Sequence, residues 1–251
     1  MDIGRLSWSA SAAYLYILRL DHISLAWEYL RRNSSYQADW RATAARWDSS
    51  TAGRWGLRYL EDPRRDARVA EPLWRPFPPS SVHLTRQSDA QPSARFQFWC
   101  IPGQKSLVHD GLGLQLTARN SPEVTRAVLD PDVGTDEPYA FSIAAGEHIQ
   151  DRCRAVNEFS VSYGGQSFKP KNPPIRPSRS ALTHMRILQA FDGGRSGASQ
   201  RDIAGAIFGD DAVSEQWSPD SELRAQVRYF LRRGHALVEA GYRTLLKLDS
   251  S

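Results

Sequence analysis

At 251 residues, with 41% hydrophobic and 24% charged residues, the chain suits one large domain or two small ones and has the composition of a globular protein with a real core. A net charge of +4 permits nucleic acid as a partner without demanding it, so the distribution of charge matters more than its total. No run of about 18 apolar residues occurs, which excludes a helical membrane span; Cys100 and Cys153, far apart and at no metal spacing, read as reduced thiols of a cytoplasmic protein.

In chain order, Ala10 to Leu20 carries Tyr14, Tyr16 and Arg19 and predicts an amphipathic helix, not a signal peptide. Asp21 is placed to cap a second helix with Ile23, Ala26, Trp27 and Leu30 on its apolar face, ending at Asn33. Ser34 and Gln37 have the spacing of a capping box, and Tyr36, Trp40, Ala44 and Trp47 recur after them at helical spacing. Residues 1–76 therefore read as an aromatic-rich helical region. Arg31, Arg32, Arg41 and Arg46 offer it a second surface for DNA or polymerase. The plainer reading, a small bundle held by tryptophans, is favoured, because large aromatics bury much area in little chain.

Pro72, Pro76, Pro78, Pro79 and Pro92 mark residues 72 to 95 as a connector. The period then changes to two. Phe96, Phe98 and Cys100 predict a strand, Asp110-Gly111 predicts a turn between apolar runs, and Leu112, Leu114 and Leu116 continue the alternation. Tyr139, Phe141 and Ile143 predict another strand, and Ile149, Cys153 and Val156 a helix; residues 122 to 129 fit neither period. Residues 77–165 thus form an α+β middle region, either separate or sharing a domain with 1–76. Residues 166–178, with Pro170, Pro173, Pro174, Pro177, Lys169, Lys171 and Arg176, predict a stiff basic linker.

The region 179–251 is the most informative. Ser178 caps a helix apolar on two sides, through Leu182, Met185, Leu188, Ile187 and Phe191, and Asp192-Gly193-Gly194 is expected to stop it. Ser199 and Asp202 form a capping box for a short helix whose apolar face is Ile203, Ala204, Ile207 and Phe208, ended by Gly209. An acidic stretch follows, with Asp210, Asp211, Glu215, Asp220 and Glu222 and no Lys or Arg. Ser218 and Pro219 are then expected to start a third helix with Leu223, Val227, Phe230 and Leu231 on one face, and Gly234 to stop or kink it. Arg224, Arg228 and Arg232 run beside that face, with Arg233 further round. Between Leu223 and Lys247 these, Arg243 and Lys247 are opposed by Glu239 alone. Such a row suits phosphates and guanine edges of a duplex; it also suits a solvated amphipathic face, or an acidic stretch docked upon it. The order of parts is that of a helix-turn-helix.

No catalytic or metal constellation assembles. None of His22, His83, His109, His148, His184 and His235 has a second ligand at metal spacing. Asp130, Asp132, Gly134 and Asp136 miss a calcium-loop pattern, since Gly134 stands one position early and Phe141 takes the place of the closing Glu. Neither a dinucleotide fingerprint nor a P-loop is present. The expectation is a non-enzymatic protein without cofactor or metal.

The string SALTHMRILQAFDGGRSGASQRDIAGAIFG, then Trp217, the arginine helix and AGYRTLL, resembles a family of bacterial helix-turn-helix variants. The family includes RovC-like activators of type VI secretion genes, and activators and antiactivators of integrative conjugative element transfer. Ala26 to Asn33, Tyr36, Trp55-Gly56-Leu57 and Asp62-Pro63 are similar to the companion N-terminal domain of the full-length activators. The resemblance implies a DNA-binding transcriptional activator, because the short antiactivators look like the C-terminal domain alone. The fold expectation is α+β: a helical N-terminal part, a β-rich middle and a helix-turn-helix-like C-terminal domain. The expected DNA contacts are Arg195, Gln200, Arg201, Arg224, Arg228, Arg232 and Arg233, with Tyr242 and Arg243 following in a wing-like strand. The expected partners are double-stranded operator DNA, a second copy of the chain, and RNA polymerase or an antiactivator, with no membrane. An antiactivator that binds another transcription factor is the alternative.

Overall fold

The computed structural model describes residues 8–43, 49–87, 94–109, 111, 113–120, 123–163 and 176–247. The chain is α+β, and it divides into two compact units, each assembled from separated stretches. Residues 1–38, 63–68 and 174–245 make the first; residues 39–62, 69–173 and 246–251 make the second. Residues 76 and 165 both fall within the 69–173 stretch of the second unit.

The first unit is helical. It opens with α1, a 3-10 helix (Ser11–Arg19), and α2 (His22–Leu30). The Asp21 carboxylate caps α2 by accepting from the Ser24 amide at 2.8 Å, as its sequence position predicts. Every residue of α2 from Ile23 to Leu30 is buried, so this helix is core. Next comes α3 (Ser34–Thr43). Its cap is Asn33, whose Oδ1 accepts from the Ser35 and Tyr36 amides at 2.9 and 3.0 Å. The expected Ser34–Gln37 box is therefore displaced by one residue, and Gln37 donates instead to the Arg31 carbonyl at 2.8 Å. Trp27 and Tyr36 meet edge to face at 5.7 Å. Ala44 and Trp47 of the expected aromatic row lie outside the described residues.

The rest of the first unit is α6 (Arg179–Arg195), α7 (Gln200–Phe208), α8 (Asp210–Gln216), α9 (Glu222–Ala236), a π-helical turn (Leu237–Gly241) and α10 (Tyr242–Leu245). α6 packs on α1 and α9, and α2 packs on α10 and the π-helical turn. The N-terminal helices thus share one core with the C-terminal ones.

The second unit contains α4 (Ser49–Gly53), five strands and α5 (Ile149–Tyr163). The strands are β1 (Val82–Arg86), β2 (Gln104–His109), β3 (Leu114–Asn120), β4 (Glu123–Leu129) and β5 (Tyr139–Ser142), in the order β2-β3-β4-β1-β5. Only the β1–β4 pair is parallel. Val82, Leu84, Leu116, Ala118, Ala127 and Leu129 form one side of its core, against Ala155 and Phe159 of α5. Tyr139, Phe141, Phe159 and Tyr163 make a chain of ring contacts with centroids 4.7 to 5.9 Å apart. β2 and β3 pair antiparallel across the site of the expected turn, with Gly111 at φ 92°; Asp110 lies outside the described residues.

Three readings of the middle are corrected. β1 lies inside the stretch read as a connector, β4 covers the residues that fitted no period, and Phe96-Phe98-Cys100 is not a strand. Phe96 is buried in the sheet's core, but Phe98–Cys100 turns as a short 3-10 helix. Of the expected linker, residues 166–175 lie outside the described residues.

Candidate nucleic-acid interface

α6 begins at Ser178, whose hydroxyl accepts from the Ala181 amide at 3.0 Å. It does not stop at Gly193-Gly194. A Cβ on Gly193 would stand 2.9 Å from the Trp8 ring and 3.0 Å from Ile203, and one on Gly194 would meet Leu231 at 2.9 Å. These glycines admit neighbours; the turn that ends the helix belongs to Gly197, at φ 83°. α7 then starts with the predicted capping box: the Ser199 amide donates to Asp202 at 3.0 Å, and the Asp202 amide to Ser199 Oγ at 3.2 Å.

Gly209, at φ 95°, ends α7 and passes directly into α8, so the acidic stretch is itself helical. Asp210 and Asp211 occupy the first turn of α8, where the helix dipole favours them. The next helix starts later than Ser218 and Pro219 suggest. Ser221 caps it, accepting from the Arg224 amide at 3.4 Å.

α9 buries Val227, Phe230 and Gly234. Phe230 stacks on Phe208 with centroids 6.4 Å apart, and the Arg186 guanidinium lies over the Phe208 ring, 5.5 Å from its centroid. Gly234 does not stop the helix, which runs on to Ala236. It lets Phe191 approach, with a Cβ there only 3.1 Å from Phe191 Cβ. Anchored on that side, α9 turns Arg228, Arg232 and Arg233 to solvent, and Arg224 is half-buried at the edge. Among the described residues none of these four guanidinium groups forms an ion pair, so the acids of 210–222 do not neutralise the row.

The other expected contacts divide. Arg201 is exposed on α7. Gln200 is half-buried, and its Oε1 is turned inward without a hydrogen-bond partner among the described residues. Arg195 is exposed at the end of α6, but it donates to the Arg32 carbonyl and to Gln37 Oε1, both at 3.1 Å. Tyr242 and Arg243 are not in a strand. They open α10, and Tyr242 is fully buried, so in this conformation it cannot contact a duplex. Arg243 is exposed, its guanidinium 5.6 Å from the Tyr242 ring centroid.

Of the N-terminal arginines read as a second surface, Arg31 and Arg32 point inward, Arg41 is exposed, and Arg46 lies outside the described residues. Arg32 is buried and bidentate on Asp192, at 2.8 and 2.9 Å, and its Nη1 also reaches Glu28 at 2.5 Å. Arg31 holds the same Glu28 oxygen at 2.8 Å, the Ala67 amide takes the other, and Tyr14 donates to Asp192 at 2.8 Å. Burial alone would raise both carboxyl pKa values. For Glu28, Arg32 and Arg31 outweigh it; for Asp192, Arg32 and Tyr14 do, so both acids are held below their ordinary range. Burial, then Glu28, pushes the nearby Tyr16 up to about 12. The Glu28–Arg31 and Glu28–Arg32 pairs lie at helical spacing and were open to sequence reasoning, whereas their links to Tyr14, Ala67 and Asp192 were not, because those partners are far apart in the chain. Tyr229, an exposed aromatic at 46% on the arginine face, was also missed, although its helical position opposite Val227 marks it.

Among the described residues no cluster of His, Cys, Asp and Glu could hold a metal ion, and no helix is long and apolar enough to cross a membrane. His109 serves its turn, accepting from the Gly111 amide at 3.0 Å. A capped helix pair and an outward arginine helix are the parts of a DNA-binding transcriptional regulator, and the comparisons agree. Residues 142–247 match a RovC-type domain described as "T6SS, Transcription factor, DNA binding domain", and residues 7–60 match a "Proteobacterial transcriptional regulator-like domain". Residues 79–124 match a domain of unknown function (DUF7011). No curated protein matches the chain at a significant level. The two named matches, one at each end of the chain, are to the domains of a DNA-binding transcriptional regulator.

Proposed function

We propose that this protein is a sequence-specific transcriptional activator whose C-terminal helices, within 179–251, hold operator DNA of a type VI secretion or conjugative-element operon. It acts in the cytoplasm as a homo-oligomer, with two copies on a two-fold operator, and recruits RNA polymerase. The observation that carries this reading is the unpaired arginine row of α9, anchored by Val227, Phe230 and Gly234 and open to solvent. The N-terminal regulator-like match supports an activator over an antiactivator, since the short antiactivators of the resembling family correspond to the C-terminal domain alone.

The test is a gel shift with duplexes covering the intergenic regions beside the gene, paired with a reporter assay. The wild type should retain one such duplex and raise its transcription. The Arg228→Glu, Arg232→Glu double variant should lose both effects and keep its helical circular dichroism. Retention of the duplex by that variant would reject α9 as the contact. A wild type that binds no duplex but captures another regulator would leave the antiactivator reading in its place.

A further inference from the structure

The outward face of α9 is not uniformly basic. At about 100° per residue, Ala225, Tyr229, Arg232 and Ala236 fall within an arc of about 60° on the side opposite the buried Val227, Phe230 and Gly234. All four are exposed. Arg228 and Arg233 stand about 40° outside this arc, one on each side, and both are exposed. Arg224 lies further round and is half-buried.

A helix seated in the major groove meets base edges along its central line and the two phosphate backbones along its flanks. The small side chains of Ala225 and Ala236 let the backbone of α9 come close to the groove floor at both ends. Between them Tyr229 and Arg232 are the long groups on the central line. Arg232 has the planar donor fork that matches O6 and N7 of guanine. Tyr229 offers an apolar ring edge for a thymine methyl and a hydroxyl for a base acceptor. The flanking guanidinium groups of Arg228 and Arg233 diverge, as contacts to opposite strands require.

We infer that α9 divides its labour: Tyr229 and Arg232 are the specificity-determining residues that read base pairs, whereas Arg228 and Arg233 grip phosphates on either side. This rests on the DNA-binding reading of the same helix and sharpens it. Three of the arginines singled out in the sequence thus take two different roles, and an aromatic residue outside that set joins the reading group.

The experiment uses the full-length protein and a library of random-sequence duplexes. The wild type is taken through rounds of selection to obtain its preferred sequence. Tyr229→Ala, Arg232→Ala, Arg228→Ala and Arg233→Ala are then measured on that duplex, on single-base variants of it and on unrelated DNA, over a range of salt. Each replaces an exposed side chain, and thermal melting confirms the fold. Arg228→Ala and Arg233→Ala should weaken binding about equally on every sequence and lower the salt slope by about one. Tyr229→Ala and Arg232→Ala should lose roughly tenfold or more on the preferred duplex and relax the preference at one or two base pairs. An unchanged preference for Tyr229→Ala and Arg232→Ala, with a shifted one for the flanking variants, overturns the division of roles. Four variants that all bind like the wild type overturn α9 as the interface. A wild type that enriches no sequence and binds no duplex overturns the DNA-binding reading itself, and this inference with it.

Discussion

Arg32 joins two carboxylates contributed by helices far apart in the chain, Glu28 on α2 and Asp192 on α6. Removing the guanidinium takes from Asp192 its paired cation and leaves the fully buried Glu28 with Arg31 alone. Arg32→Met should lower stability by about 3–5 kcal/mol, read as a drop in the urea midpoint of the helical unit. Adding Glu28→Gln and Asp192→Asn to Arg32→Met should recover part of the loss, because neither acid is then left buried and charged. His184 sits close by, its Nδ1 2.8 Å from the Tyr29 hydroxyl. Burial first, and then Arg233, holds its pKa below the usual 6.5. A folded-state pKa below the unfolded value means that the neutral ring stabilises the fold above pH about 6.5 and that this contribution is lost as pH falls through the folded pKa. Between pH about 7 and 5 the melting temperature of the wild type should therefore fall more steeply than that of His184→Gln, in which the acid-sensitive carboxylates are common to both.

At the scale of the element, the signals that were readable are the local ones. Asp21, Ser178 and Ser199 cap the helices they precede, because a cap satisfies amides two or three residues away and needs nothing distant. Glycine was harder to interpret. Gly193, Gly194 and Gly234 occupy ordinary helix and are small for the sake of neighbours, whereas Gly197 and Gly209 supply the left-handed turns. Only tertiary packing separates the two uses. Gly197→Ala should thus cost about 1 kcal/mol of backbone strain at φ 83°. Gly193→Ala should also destabilise, since the gain in helix propensity, about 1 kcal/mol, is offset by overpacking of about 1–3 kcal/mol against Trp8. Gly194→Ala meets only the mobile end of Leu231 and should be close to neutral or stabilising. Thermal melting of the three variants ranks them. β1 was hidden among prolines, and the Phe96 alternation misled because a period of two reports an exposed and a buried side, not the partner strand that a sheet needs. Tyr242 was misplaced for a related reason: a short polar–apolar string after an arginine helix fits a wing as well as a last helical turn. Its burial depends on α2, which the sequence places two hundred residues earlier.

For the whole molecule, the helices that carry the arginine row are completed by the other end of the chain. Gln189 Nε2 donates to the Trp8 carbonyl at 3.2 Å, the Asn33 amide donates to the Val238 carbonyl at 3.0 Å, and Asp192 takes Tyr14 and Arg32. The segment 174–251 alone should consequently melt at least about 10 °C below the intact protein. A peptide spanning residues 8–43, added in trans, should restore part of the difference, and circular dichroism follows both. Equal melting of the segment and the intact protein would show that these contacts contribute nothing.

Such wiring also has a temporal side. On the ribosome the opening stretch emerges first and must wait for more than one hundred and thirty further residues before its partners at 174–245 exist. Closing so wide a loop is slow, and until it closes Glu28, Trp27 and Tyr29 have nowhere to hide from water. A polypeptide released early, from a broken message or a stalled ribosome, therefore carries an unfinished core and lacks α9, and is a ready target for proteolysis. The cell is thereby spared a half-made switch that could occupy a promoter without working it.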